Sequence, residues 1–239
     1  MPPPAQASYG IDAPPVVFTF VAIAFVLTFL GIFIGSGTGL PLVALAIWIP
    51  ALVCWATAIA MVRGSKVGKP ELWRRLLDDA ALRGDEDALD VGCGRGLVLI
   101  ETAKRLPRGR ATGVDVWRSA DQSGNQRAVT ELNARIEGVE DRVEIVDGDM
   151  TALPFPDGAF DLVTASLAIH NVRDEQGRAQ ALAGIVRVLR PGGRIIVVDI
   201  AKTEEYVDAF AAAGLTVERG DRSFASYPVV HVVTASKPR

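Results

Sequence analysis

Between Leu89 and Gly96 the chain reads Leu-Asp-Val-Gly-Cys-Gly-Arg-Gly, with glycines at alternate positions. Glycine admits close backbone approach and positive φ, so such a loop between a strand and a helix suits a cofactor. A G-x-G-x-x-G dinucleotide fingerprint does not fit, because the third glycine comes one residue early and Leu97 takes its place. Further carboxylates fall at predicted strand ends: Asp115 in Gly113-Val114-Asp115-Val116-Trp117, then Asp147-Gly148-Asp149-Met150. One carboxylate can accept hydrogen bonds from both hydroxyls of a ribose; each acid taken singly also fits a strand-end cap. Ser166-Leu167-Ala168-Ile169-His170-Asn171 ends the fourth predicted strand. A histidine of ordinary pKa, about 6.5, can take a proton near neutral pH, so His170 is the candidate base, with a purely structural role as its alternative. His231 stands alone in a terminal strand. Two distant histidines and two unrelated thiols, Cys54 and Cys93, offer no metal site.

The elements that must position these residues alternate strand and helix, which predicts an α/β fold. A helix over Glu71 to Leu82 precedes a first strand at Ala88 to Val91. Leu99, Ala103 and Leu106 mark one face of the next helix, followed by a second strand at Ala111 to Val116. Val129, Leu132 and Ile136 give a helix, Val143 to Val146 a third strand, and Phe160 to Ile169 a fourth. Helical spacing returns at Leu182, Ile185, Val186 and Leu189, and Pro191-Gly192-Gly193 is expected to stop that helix. Arg194 to Ile200 is a β-branched run suited to a central strand. A last helix carries Tyr206, Phe210 and Ala213, and two strands near Val217 to Phe224 and Val229 to Thr234 should pair antiparallel.

In front of this lies a different kind of sequence. Residues 1–15 are proline-rich with Asp12 as the single charge, and no charge interrupts Val16 to Ile34 or Leu40 to Val62. Each run is long enough to cross a hydrocarbon core of roughly 30 Å, and the glycine-rich turn at Gly35 to Gly39 makes the pair a transmembrane helical hairpin over residues 16–63. Gly31, Gly35 and Gly39 are either turn residues or, if the helix continues, a small-residue packing face. Arg63, Lys66, Lys69, Arg74 and Arg75 follow the second span, which by the positive-inside rule puts the C-terminal domain, residues 71–239, in the cytoplasm. Residues 64–70 read as a short linker. The mean hydropathy of +0.27 comes from this hairpin, while a net charge of -3 gives no field for nucleic acid.

Asp90 to Gly96, Asp115, Asp149-Met150, Leu153-Pro154-Phe155, Phe160-Asp161 and Leu189-Arg190-Pro191-Gly192-Gly193 resemble class I methyltransferases that use S-adenosylmethionine (SAM), in the small-molecule branch that includes the ubiquinone and menaquinone methyltransferases. The resemblance implies a Rossmann-like seven-stranded sheet of order 3-2-1-4-5-7-6 with the seventh strand antiparallel. It implies that Gly92, Gly94 and Gly96 line the methionine part of SAM, that Asp90 meets its ammonium, that Asp115 holds the ribose, and that Asp149, Met150 and Val116 meet the adenine. Cys93 within the loop and Ser166 at the fourth strand's end complete the expected cofactor set. The quinone enzymes often carry Arg-Asn-Val where this chain has His170-Asn171-Val172, which argues against a quinone acceptor. The missing front helices of many relatives imply an uncovered substrate side. The expected activity is methylation of a small lipophilic acceptor at the bilayer, as a monomer or an oligomer; protein side-chain methylation and a SAM-binding membrane protein acting through a partner are the alternatives.

Overall fold

The computed structural model describes residues 6–37, 40–224 and 226–239. Two long helices come first, α1 (Pro14–Gly37) and α2 (Pro41–Arg63). Thr38 and Gly39 of the expected turn, and residues 1–5 of the proline-rich segment, lie outside the described residues. Both helices are long and apolar enough to cross a membrane. Small residues line the seam between them: Ala24 and Gly31 on α1, Ala44, Ala51 and Ala58 on α2. Seven-residue spacing keeps such a seam on one face of each helix. A Cβ on Gly31 would stand 2.2 Å from the Trp48 indole nitrogen, so the glycine lets that ring lie across α1. Large side chains point outward instead, among them Phe18, Phe29, Phe33, Leu42 and Leu52.

Residues 64–70, expected to be a linker, are helical: a π turn at Gly64–Gly68 leads straight into α3 (Lys69–Asp79). Gly64 makes this packing feasible, since a Cβ there would approach the Tyr227 backbone nitrogen to 2.7 Å.

Beyond α3 the elements run β1 (Asp87–Val91), α4 (Leu97–Lys104), β2 (Arg110–Asp115), α5 (Arg127–Ile136), β3 (Val143–Asp147), β4 (Phe160–Ser166), α6 (Glu175–Val188), β5 (Leu189–Asp199), α7 (Thr203–Ala212), β6 (Thr216–Ser223) and β7 (Val230–Ser236). They form a seven-stranded sheet of order β3-β2-β1-β4-β5-β7-β6, in which β7 is antiparallel to both neighbours. That is the expected order. Alternation along each strand feeds two cores: Leu162, Ile196 and Val198 face Trp73, Leu77, Leu99 and Ile100, whereas Val163, Ile195 and Val197 face Ile185, Tyr206 and Phe210.

Several boundaries differ from expectation, and two bear on the site. β4 stops at Ser166 instead of Ile169, because Leu167 takes φ +53° and Ile169–Asn171 forms a short 3-10 turn. The sixth helix ends at Val188, before the Pro191-Gly192-Gly193 stop, and Leu189 already pairs with Phe160 in β4. Ladder hydrogen bonding to β4 takes over there, ahead of the proline signal.

Candidate active site

A cavity of about 1290 Å³ opens at the carboxyl ends of the central parallel strands, where open α/β sheets bind ligands. Its wall brings together Asp90, Gly92, Cys93, Gly94, Asp115, Val116, Asp149, Met150, Ser166 and His170. Gly96 is not in that wall. It precedes α4 with φ +85°, and a Cβ there would meet Thr130 at 2.8 Å, so it serves the close packing of α5 on the loop.

Gly92 and Gly94 adopt φ +71° and +52°, conformations that disfavour any side chain. Asp115 stabilises the bend: its Oδ2 accepts from the Gly94 N–H at 2.8 Å and its Oδ1 from the Trp117 N–H at 2.6 Å. Oδ1 also accepts from the Asn125 side-chain amide at 3.3 Å, so Oδ2 is the oxygen that keeps a lone pair for a further donor. Asp149 caps the short turn after β3, accepting from the Thr151 N–H and hydroxyl at 2.9 Å through Oδ1; its Oδ2 has no such bond among the described residues. Val116 and Met150 bring apolar surface to the same end.

Asp90 lies deeper. It accepts from the Leu99 N–H at 3.0 Å and the Thr164 hydroxyl at 2.9 Å, and burial pushes its pKa up to about 7 against these two hydrogen bonds, which lower it. Burial also raises the Cys93 thiol well above its usual range. That side chain packs in the core, so Cys93 offers the cavity its backbone and no reactive thiolate. The Ser166 hydroxyl accepts from the Trp73 indole at 2.9 Å. His170 stands on the 3-10 turn after β4, its Nδ1 against Asp199 Oδ1 in an ion-pair geometry.

Several lining residues carry no motif. The polar loop after Asp115 supplies Arg118, Asp121, Gln122 and Asn125, where Gln122 Oε1 accepts from the Arg95 N–H at 2.8 Å. The N-terminal segment reaches the expected open side, where Asp12 and Ala13 join the wall. Ser8 pairs with Asn133, Ile11 with Ser123, and Asp12 bridges to Gln122. Lys69, one of the five cations that follow the second span, is buried and pairs with Asp12 at 2.6 Å. Arg63, Lys66, Arg74 and Arg75 stay exposed. Val16 of α1 and Met61 of α2 complete the wall, so the cavity reaches the base of the hairpin.

Residues 89–197 match the family model described as a methyltransferase domain. Over 137 residues the chain is 37% identical to the ubiquinone/menaquinone biosynthesis C-methyltransferase of Roseobacter denitrificans, covering 57% of this chain and 51% of that protein. It is 35% identical to the demethylmenaquinone methyltransferase of Thermus thermophilus, covering 53% of each. The chain thus spans about half the length of these curated relatives. Among solved structures, a SAM-dependent methyltransferase from Aquifex aeolicus superposes with a TM-score of 0.56 at 19% identity, over 70% of this chain and 88% of that one.

Proposed function

We propose that this chain is a membrane-anchored SAM-dependent methyltransferase that methylates a lipophilic small molecule, with its catalytic domain on the cytoplasmic face; the methyltransferase-domain match over residues 89–197 supports the enzymatic part of this reading. The observation that carries the reading is the single cavity running from Asp115 and the glycine loop, past His170, to Val16 and Met61 at the base of two helices whose large apolar side chains face outward. Outward Phe and Leu around a small-residue seam suit lipid as the solvent. A soluble core helix would bury that surface.

The residues fit the cofactor. Gly92 and Gly94 leave room for a chain to run along the backbone, Asp115 Oδ2 keeps a lone pair for a ribose hydroxyl, and Val116 with Met150 suits a base. Asp90 lies where a cofactor ammonium would favour its ionised form. When bound, SAM supplies a methyl on a sulfonium, whose carbon–sulfur bond breaks with the electron pair staying on sulfur as the acceptor bonds the methyl. The protein's part is to align the acceptor, keep water out and receive a proton. His170 is the base of this proposal, taking a hydroxyl proton from the acceptor. The relatives named for quinone methylation make a prenylated quinol the acceptor class to test first, although the family's Arg-Asn-Val is His170-Asn171-Val172 here.

Full-length protein in liposomes, given labelled SAM and a short-chain demethylmenaquinol, should transfer label to the lipid phase. A head-group analogue without the prenyl chain should react far more slowly. Equal rates on both would count against access from the bilayer, and no SAM binding by calorimetry would remove the enzymatic reading. Asp115→Ala should weaken SAM binding by about 1.5–3 kcal/mol, the worth of hydrogen bonds to a charged group.

A further inference from the structure

At the acceptor end of the cavity one buried carboxylate takes no part in the cofactor positions. Asp199 ends β5 and is fully buried. Its Oδ2 accepts from the His170 backbone N–H at 3.2 Å and from the Tyr206 hydroxyl at 3.1 Å. Its Oδ1 accepts from the Ile200 N–H at 2.8 Å and lies against His170 Nδ1. A buried carboxylate is costly unless its lone pairs are satisfied, and here three N–H or O–H donors and one ring nitrogen satisfy them. Burial, and next the charge of Asp199, hold the Tyr206 phenol far above its usual range. It therefore stays protonated and donates to Asp199.

We infer that Asp199 is a positioning residue for His170: it fixes the tautomer with the proton on Nδ1, leaves Nε2 to receive the acceptor's proton, and stabilises the imidazolium that results. The inference rests on His170 being the base. In the step itself the acceptor's hydroxyl proton moves to Nε2, its electron pair stays on the acceptor, and the proton later leaves to water, since the His170 side chain keeps 20% of its surface exposed. The imidazole carries a partner on Nδ1, and no hydrogen bond among the described residues engages Nε2. A merely structural Asp199 needs only the backbone N–H groups of His170 and Ile200. The ring contact is what a base requires in addition.

The other charged groups around this pair are Asp121 and Arg118, on the loop after β2, and Arg173 beyond the 3-10 turn. Arg178 and Glu205 pair with each other at 2.8 Å beside Tyr206, and His231 stands opposite Asp199 in β7.

The chain has two histidines, so in full-length His231→Gln protein in nanodiscs the remaining imidazole's 15N shifts report His170 alone. The expected result is a neutral ring protonated on Nδ1. Asp199→Asn should weaken that preference, because an amide can donate to Nδ1 as well as accept from it. With SAM and the short-chain demethylmenaquinol, Asp199→Asn should lose roughly ten- to a hundredfold in kcat at unchanged SAM affinity. A neutral ring protonated on Nε2 overturns the inference, and it does so in protein whose Asp199 is intact. Impaired His170→Ala beside an Asp199→Asn of normal turnover overturns it while leaving the base reading standing; wild-type turnover in His170→Ala overturns both.

Discussion

The hairpin and the sheet domain solve opposite packing problems. In the domain, large apolar side chains such as Leu99, Ile100, Leu162 and Phe210 are inside. In the hairpin Ala24, Gly31, Ala44, Ala51 and Ala58 are inside, and Phe29, Phe33 and Leu42 are outside. Burying large apolar groups stabilises a fold where the alternative is water. Where the surroundings are as apolar as the side chain, close contact between small residues is what remains to hold helices together. One chain carries both patterns, and the candidate cavity reaches the base of the hairpin.

Truncating the interior of each region should separate them most. Leu99→Ala, at a site with no exposed surface, should cost the domain about 2–5 kcal/mol, read as a fall in the denaturant midpoint of SAM-binding activity. Phe29→Ala, at a side chain 65% exposed, should leave that midpoint unmoved. A comparable loss from Phe29→Ala would mean that the hairpin's outer face packs against protein, and the contrast would fail.

A charge on the same outward face should be the next largest effect. Phe29→Lys should reduce insertion by about 2.5–3.5 kcal/mol if its surroundings are hydrocarbon, visible as loss from the membrane fraction after carbonate washing. On a helix facing water it would instead improve solubility, and full recovery in the membrane would break the comparison.

The effect of pH on the cofactor end should be smaller and should sharpen where the domain's chemistry begins. Asp90, with a pKa near 7, is protonated as pH falls below that value, so a cofactor ammonium must then displace a proton. SAM affinity should drop toward about tenfold per unit between pH 6 and pH 5, and calorimetry should find that slope gone in Asp90→Asn. A slope that persists in the variant would assign the titration to another group.

The smallest effect should fall on the boundary itself. Asp12→Asn removes the partner of Lys69, whose side chain is 7% exposed against 22% for Asp12. Loosening of the N-terminal segment by about 1 kcal/mol, the upper end for a pair still in contact with solvent, should appear as faster amide exchange at Ile11 and Ala13. Unchanged exchange would show that the backbone bonds to Ser123 and Asp121 hold the segment alone.

The sequence by itself determined whatever depends on local order. Uncharged runs of more than eighteen residues, alternating β-branched strands, and glycines whose backbone must take positive φ are all set by neighbours along the chain, so the two long helices, the glycine loop and the sheet order implied by the family motifs were legible. His170 was legible as well, because it follows a strand end. Asp199 also ends a strand and bore the same mark as Asp115, but its meaning depends on His170, 29 residues away. Asp12 and Lys69, 57 residues apart, looked like a stray acid and one of five cations following the second span. Only the tertiary structure decided that they pair, that Asp12 and Ala13 join the cavity wall, and that a π turn leaves no free linker. Those outcomes depend on which distant surfaces come within hydrogen-bonding reach, and a pair of long-range partners leaves no periodicity in the chain to reveal it.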